Sequence, residues 1–332
     1  MLLALLFALL FALPQGAPPR SELEAEVRVP LVSVIDEDTL VVLLDGREEH
    51  LRLLSVDTEE KLSGRPLSSP TKPQTVFGQE TALWAQEFFA ALGPEVRLGL
   101  AFPEGRRRDA YGRLLAYVLL PDGRDFNLLL VREGKSPYFD KYGKSRVLHE
   151  AFAAAQAEAR ARHLGIWDPA TNRPKSLDLP AAQRPYDALL PWWSARAAAI
   201  EAAERAARAE PGRVLLAEDP SALERAWAAG RADPARRVRV FAAIERFYEE
   251  KDGSLTALLR AGDAGSAVRA SVPAAARAAL EPFLRRSCEE FRQNYLWVEG
   301  ALTRNERGYL VRAGERDAWS TADPAYPPTP AR

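Results

Sequence analysis

Acids and arginines stand in this chain where apolar neighbours would ordinarily exclude them. Arg52 lies inside Leu51-Arg52-Leu53-Leu54-Ser55-Val56, a run that reads as a buried strand. A lone cation there costs free energy unless an anion meets it. The run ends in Asp57-Thr58-Glu59-Glu60, so oxygen ligands for a hard cation gather at the strand's end. Upstream, Val34-Ile35 gives way to Asp36-Glu37-Asp38-Thr39, and downstream Asp109-Ala110-Tyr111-Gly112-Arg113 leads into the apolar stretch Leu114 to Leu120. Together these groups would make a phosphodiester site, with acids holding a metal and arginines neutralising the phosphate. From spacing alone, the acid trio also reads as a solvated turn, and Arg52 as half of a buried ion pair with Glu60.

At these residues, from about Val27 to Trp167, the chain resembles the staphylococcal nuclease (thermonuclease) family. That family carries an Asp-Gly-Asp-Thr turn, an Arg-bearing strand ending Val-Asp-Thr-Pro-Glu, a Tyr-Gly-Arg turn, a Leu-Val-x-x-Gly helix and a closing Gly-x-Trp. Here the fragments are Asp36-Glu37-Asp38-Thr39, Arg52 through Glu60, Tyr111-Gly112-Arg113, Leu130-Val131-Arg132-Glu133-Gly134 and Gly165-Ile166-Trp167. The resemblance implies a five-stranded OB-type barrel with three helices. It implies Arg52 and Arg113 as phosphate-gripping catalytic residues and Glu60 as the base that activates water. Asp38, Asp57 and the backbone carbonyl of Thr58 become ligands of Ca²⁺, which accepts loose oxygen geometry. Tyr111 is implied near the substrate phosphate, and Tyr138 and Tyr142 against a nucleotide base. The implied activity is hydrolysis of DNA and RNA at the 5′-O–P bond. The alternative is a nucleic-acid-binding OB-fold protein without catalysis. Two residues depart from the pattern: Glu37 replaces the turn's Gly, and Glu59 replaces the Pro, where it could compete with Glu60.

Length and composition bound the rest. The chain has 332 residues, 47% hydrophobic, enough for two folded domains with real cores. A net charge of −1 gives no overall basic field, which argues against an architectural DNA protein and not against a metal-assisted enzyme. The single cysteine, Cys288, excludes an intrachain disulfide. Leu2 to Leu13, followed by Pro14-Gln15-Gly16-Ala17, is too short an apolar run to span a bilayer and fits a signal-peptide core over 1–17. The expectation is a secreted protein without stable membrane association after cleavage, with an uncleaved anchor as the alternative. Oligomeric state is not legible.

The elements that would position the site follow in order. A β-rich stretch from Val32 to Leu44 ends at the hairpin signal Asp45-Gly46. Gly78 to Leu92 has helical spacing, Val96 to Phe102 and Leu114 to Leu120 are strands, and Asn127 to Glu133 and His149 to His163 are helices. The nuclease-like domain thus covers 28–168 and a Pro-rich linker 169–185. A helical segment occupies 186–235, with Trp192-Trp193 as a core anchor. From 236 to 318 the pattern is strand, strand, strand, helix, strand, strand, a possible second OB-like barrel, followed by a disordered tail over 319–332. The basic and aromatic residues of this half suit holding single strands, though core aromatics and solvated arginines account for them as readily.

Overall fold

The computed structural model describes residues 21–63, 73–103, 107–109, 111–139, 144–171, 184, 186–233, 235–260, 265–287 and 295–322. The apolar run Leu2 to Leu13, Tyr142, Cys288 and most of the stretches expected as linker and tail lie outside the described residues. No helix among the described residues is long and apolar enough to cross a membrane.

Five strands form the first unit: β1 (Val27–Asp36), β2 (Thr39–Leu44), β3 (Arg47–Leu53), β4 (Arg97–Ala101) and β5 (Leu114–Leu119). They close into a barrel in the order β1-β2-β3-β5-β4, with β3 and β5 parallel. The stretch expected as one strand from Val32 to Leu44 is two, because the acids Glu37 and Asp38 make the turn between them. Asp45 and Gly46 both have positive φ, 51° and 75°, as a tight hairpin turn requires. Helix α1 (Val76–Ala91) links β3 to β4, and α2 (Phe126–Arg132) and α3 (His149–Ala161) follow β5. Leu40, Leu51, Leu53, Leu98 and Leu100 fill the barrel, and Phe89 and Phe126 pack ring to ring at 4.6 Å. The motif glycines close the unit. Gly134 and Gly165 have φ of 65° and 52° and lie back to back, leaving no room for a Cβ on either. Ile166 donates to the carbonyl of Gly134 at 2.8 Å.

Helix α4 (Tyr186–Ala209) leads to β6 (Val214–Leu216) and α5 (Pro220–Gly230). Trp192 and Trp193 are buried among Tyr186, Leu189 and Ile166, as anchors should be. Then come β7 (Arg237–Ala243), β8 (Arg246–Glu249), β9 (Leu255–Arg260), β10 (Val268–Val272), α6 (Ala274–Ser287), β11 (Tyr295–Asn305), β12 (Gly308–Arg312) and β13 (Trp319–Thr321). They form an eight-stranded sheet in the order β6-β7-β11-β12-β10-β9-β8, with β13 on β11.

This sheet has the connectivity of the first barrel. There, the long β1 pairs with β4 through Val27 to Pro30 and with β2 through Leu31 to Asp36. Here the corresponding strand is broken: β7 pairs with β11 and β8 pairs with β9. The parallel pair β3–β5 has its counterpart in β10–β12, and α6 stands where α1 stands. The strand and helix order expected for the second unit is therefore present, with its first strand split at Ile244-Glu245 and β6 and β13 added, in a sheet where the first unit has a closed barrel. The expected tail is corrected at its start. Trp319 is 1% exposed, donates its indole N–H to Ala313 at 3.0 Å, and lies in β13.

Candidate active site

Period-two alternation along β3 sends Leu51 and Leu53 into the core and Arg52 to the outer face. Arg52 is only 9% exposed. One guanidinium nitrogen pairs with Asp38 Oδ2, and the other lies 2.6 Å from Asp57 Oδ1 and 3.3 Å from the Val56 carbonyl. The guanidinium therefore stands between the two expected metal ligands. The expected pairing of Arg52 with Glu60 is replaced by these two aspartates, which the strand ends bring nearer.

The acid turn and the β3 corner are tied together directly. Asp38 Oδ2 accepts the Thr58 N–H at 3.1 Å, and Asp38 Oδ1 accepts the Thr39 hydroxyl at 3.0 Å. Ser55, at φ 63°, bends the chain out of β3 and hydrogen-bonds Tyr117 Oη at 2.9 Å. The Asp57 N–H donates to Ser136 Oγ at 2.8 Å. Buried Asn127 donates to the Leu54 carbonyl at 2.9 Å and accepts the Val118 N–H at 3.0 Å, locking the corner to β5 and α2.

One participant escaped the sequence reading. Arg184, at the end of the expected linker, is buried against the site. Its guanidinium reaches Asp57 Oδ2 at 2.7 Å and the carbonyls of Asp57 and Thr58 at 3.2 and 3.3 Å. The end of the linker is thus part of the site. An arginine in a Pro-rich stretch has no spacing that announces such a role.

The two departures from the motif have different fates. Glu59 is 3% exposed and accepts the hydroxyl of Thr75, the N-cap of α1, which itself accepts the Gly78 N–H at 2.9 Å. Its carboxylate thus secures a helix start. Glu60 is half-buried, and its carbonyl accepts the Thr75 N–H at 3.0 Å. Gly78 packs so closely on that carbonyl that a Cβ would not fit. Glu37 is fully buried, and neither of its carboxyl oxygens has a hydrogen-bond partner among the described residues. Burial, reinforced by the neighbouring Asp36, pushes its pKa up to about 8. Burial also raises Asp36, one of whose oxygens is likewise unpartnered.

Arg113 precedes β5 by one residue, and Leu115 two residues on is the cross-strand partner of Arg52. Its Nε and Nη2 both lie 2.8 Å from Asp109 Oδ2, and its guanidinium lies 5.6 Å from the Tyr111 ring centre. Tyr111 is 69% exposed, open to a substrate. Tyr138 is corrected. Its ring stacks on Phe152 at 5.1 Å, and its hydroxyl accepts the Ser145 N–H at 2.9 Å and meets His149 Nδ1 at 3.1 Å. The residue is 9% exposed and its hydroxyl is engaged in the core, which is the packing role and not a base-stacking one.

Among the described residues, no three acidic, histidine or cysteine side chains converge as a ready metal site. The donors are nevertheless all oxygens, the chemistry of a hard cation. The orphaned oxygens of Asp36 and Glu37 add buried acceptors beside them. The set fits Ca²⁺ in kind, with Arg52 and Arg184 now holding the carboxylates.

A small closed barrel with guanidiniums and acids packed at its strand ends defines a phosphodiester-cleaving hydrolase. Residues 50–169 match the family of staphylococcal nuclease homologues. The chain is 32% identical over 152 residues to endonuclease YncB of Bacillus subtilis, covering 46% of this chain and 67% of that protein. It is 34% identical over 137 residues to the thermonuclease of Staphylococcus intermedius, covering 41% and 73%. An uncharacterized endonuclease of Escherichia coli O157:H7 matches at 27% over 146 residues, covering 44% and 80%. The chain belongs to the staphylococcal nuclease homologue family and is a nuclease. Arg52, Asp57, Thr58, Glu60, Tyr111, Arg113 and Tyr138 fall inside the stretch matched by the family, Asp38 ahead of it and Arg184 beyond it.

Proposed function

We propose that this nuclease is Ca²⁺-dependent and hydrolyses DNA and RNA at the 5′-O–P bond, preferring single-stranded or frayed regions. The observation that carries the reading is Arg52, held on the barrel's outer face between Asp38 and Asp57. Asp38, Asp57 and the Thr58 carbonyl would hold the ion, which when bound neutralises charge on the phosphate. Arg52 and Arg113 donate to phosphate oxygens, exchanging their present carboxylates for the substrate. A planar guanidinium does this in bidentate fashion and keeps its proton at neutral pH. Both stabilise the extra negative charge of the five-coordinate transition state. Glu60 takes a proton from the attacking water. The water oxygen bonds to phosphorus as the bond to the 5′ oxygen breaks, and the 5′ oxygen takes a proton from solvent, leaving a 3′-phosphate and a 5′-hydroxyl. The apolar run at Leu2 to Leu13 supports export through a cleaved leader over 1–17.

Digestion of plasmid and single-stranded DNA with added Ca²⁺, and again in excess chelator, tests the reading. Cleavage with Ca²⁺ and 3′-phosphate ends is expected. Cleavage that persists in chelator removes the Ca²⁺ assignment, and 5′-phosphate ends remove the bond assignment. Fractionation of expressing cells tests export.

A further inference from the structure

The second unit carries an arginine where the first carries Arg52. On β10, Arg269 stands opposite Leu310 of the parallel strand β12, as Arg52 on β3 stands opposite Leu115 of β5. Both arginines are 9% exposed. Their surroundings differ in sign. Arg52 meets two carboxylates, whereas Arg269 donates to the neutral amide oxygen of Asn305 at 2.7 Å. Its buried Nε has no hydrogen-bond partner among the described residues.

Cross-strand register shows what shares its face. Directly paired residues point to the same side of a sheet. One row runs Arg246, Leu258, Arg269, Leu310, and the next runs Tyr248, Thr256, Ser271, Arg312. The interior is filled by the alternate residues Leu255, Ala257, Leu259, Val268, Ala270 and Val272, so these rows form the outer face. They hold three arginines, two hydroxyls and a tyrosine 41% exposed, and no acid; Thr256 and Leu258 at their centre are buried, and Arg246, Tyr248 and Arg312 stand open. The acid of β8, Glu249, points to the other side, where it pairs with Arg277 at 3.0 Å. Arg307 adds positive charge beside Arg269, and Glu250 is the acid that faces it.

The face is continuous with the nuclease site. The Arg246 guanidinium lies 4.9 Å from the ring centre of Tyr111, whose ring also carries Arg113. Arg246 and Tyr248 are alternate residues of β8 and share its outer side. The order is therefore Arg113, Tyr111, Arg246, Tyr248, Arg269: cations alternating with exposed rings. Strand-to-strand spacing sets Arg246 and Arg269 about 10 Å apart. A phosphodiester backbone supplies anions at intervals for such cations, and unpaired bases supply faces for the rings. A duplex offers no open base, and a free anion has no use for the tyrosines.

We propose that the outer face of β8, β9 and β10 binds the backbone of single-stranded nucleic acid leading out of the nuclease site. The proposal rests on the nuclease reading above and names where its substrate continues. It places in an OB-type unit the face such folds use for oligonucleotides.

The test is binding of a long fluorescently labelled single strand to the full chain by anisotropy, in chelator and across a salt series. Arg246→Gln with Tyr248→Ser, both at exposed positions that the fold does not need, should weaken binding about tenfold. The slope of log affinity against log salt should fall by about 0.7 for the one lost phosphate contact. Arg269→Gln should add a loss of similar size. Unchanged affinity and slope in the double variant overturn the proposal while leaving the nuclease reading intact. Wild-type protein that neither binds nor cleaves nucleic acid overturns both. Inorganic phosphate that binds wild type but not Arg269→Gln, with strand affinity equal in the two, makes this a free-anion site and overturns the proposal as stated.

Discussion

The closed barrel and the second sheet share an order of strand pairing and differ in what meets the arginine on the third strand. In the first, the turn after β1 and the corner after β3 deliver Asp38 and Asp57 to Arg52. In the second, the corresponding arginine meets the neutral Asn305, and Glu250, just past β8, is the acid that faces it. The folds are equivalent in pairing, so topology provides a place for a guanidinium at the barrel surface. Chemistry depends on the loops. Acids at two strand ends allow a metal, a water and a phosphate to be organised. An arginine with a neutral partner keeps its charge available for a passing anion and can activate nothing. The broken first strand adds a further difference, and Arg246 at the start of its second half lies against the ring of Tyr111.

The largest effect should come from the shared arginine position in the catalytic barrel. Arg52→Lys keeps the charge but loses the fork that spans two oxygens. Single-turnover rates should fall by roughly 3–5 kcal/mol in barrier terms, with the barrel still folded by circular dichroism. Near-normal turnover would make Arg52 as non-catalytic as Arg269.

Removing the acid should show in stability as well. Asp57→Ala leaves both Arg52 and Arg184 buried without their common carboxylate. Chemical denaturation should report a loss of about 3–5 kcal/mol. Asn305→Ala removes a neutral acceptor shared by Arg269 and the Arg307 N–H and should cost about 1–3 kcal/mol. Equal losses would mean that the aspartate pairs add nothing to fold stability beyond an ordinary hydrogen bond.

The buried acid of the turn should give the first barrel a pH dependence. Glu37 has a folded pKa near 8 and an unfolded one near the usual carboxylate value. The folded state binds its proton more tightly, so the group costs nothing below about pH 4. Its cost grows by up to about 1.4 kcal/mol per pH unit as pH rises toward 8 and then levels off. Glu37→Gln should therefore match wild type near pH 4 and melt at higher temperature near pH 8. A melting difference that does not change with pH would show that Glu37 titrates normally.

The smallest effect concerns Arg184. Its positive charge sits on Asp57 and the Thr58 carbonyl, which a calcium ion would also need. Arg184→Ala should tighten calcium binding, measured by calorimetry on the full chain, by several-fold. Weaker binding would instead make Arg184 a support that holds Asp57 in place.

The sequence by itself determined the first barrel, its arginine, its two aspartates and the family they belong to. Those signals are local: a cation in an apolar strand, acids at strand ends, and glycines where backbones touch. It also carried the strand order of the second unit, because alternation survives in short strands. What it could not carry were contacts between residues far apart in the chain. Tyr138 reads equally as a base-stacking or a core aromatic until Phe152, Ser145 and His149 are seen around it. Glu59 reads as a rival base until Thr75 takes its carboxylate. Arg184 reads as linker, and only folding brings it 127 residues back to Asp57. The row joining Arg246 to Arg269 exists only through β9, which lies between them. Side-chain type and period are written along the chain. Which charge meets which is decided when distant segments pack, because burial makes an unpaired charge costly and rewards the arrangement that pairs it.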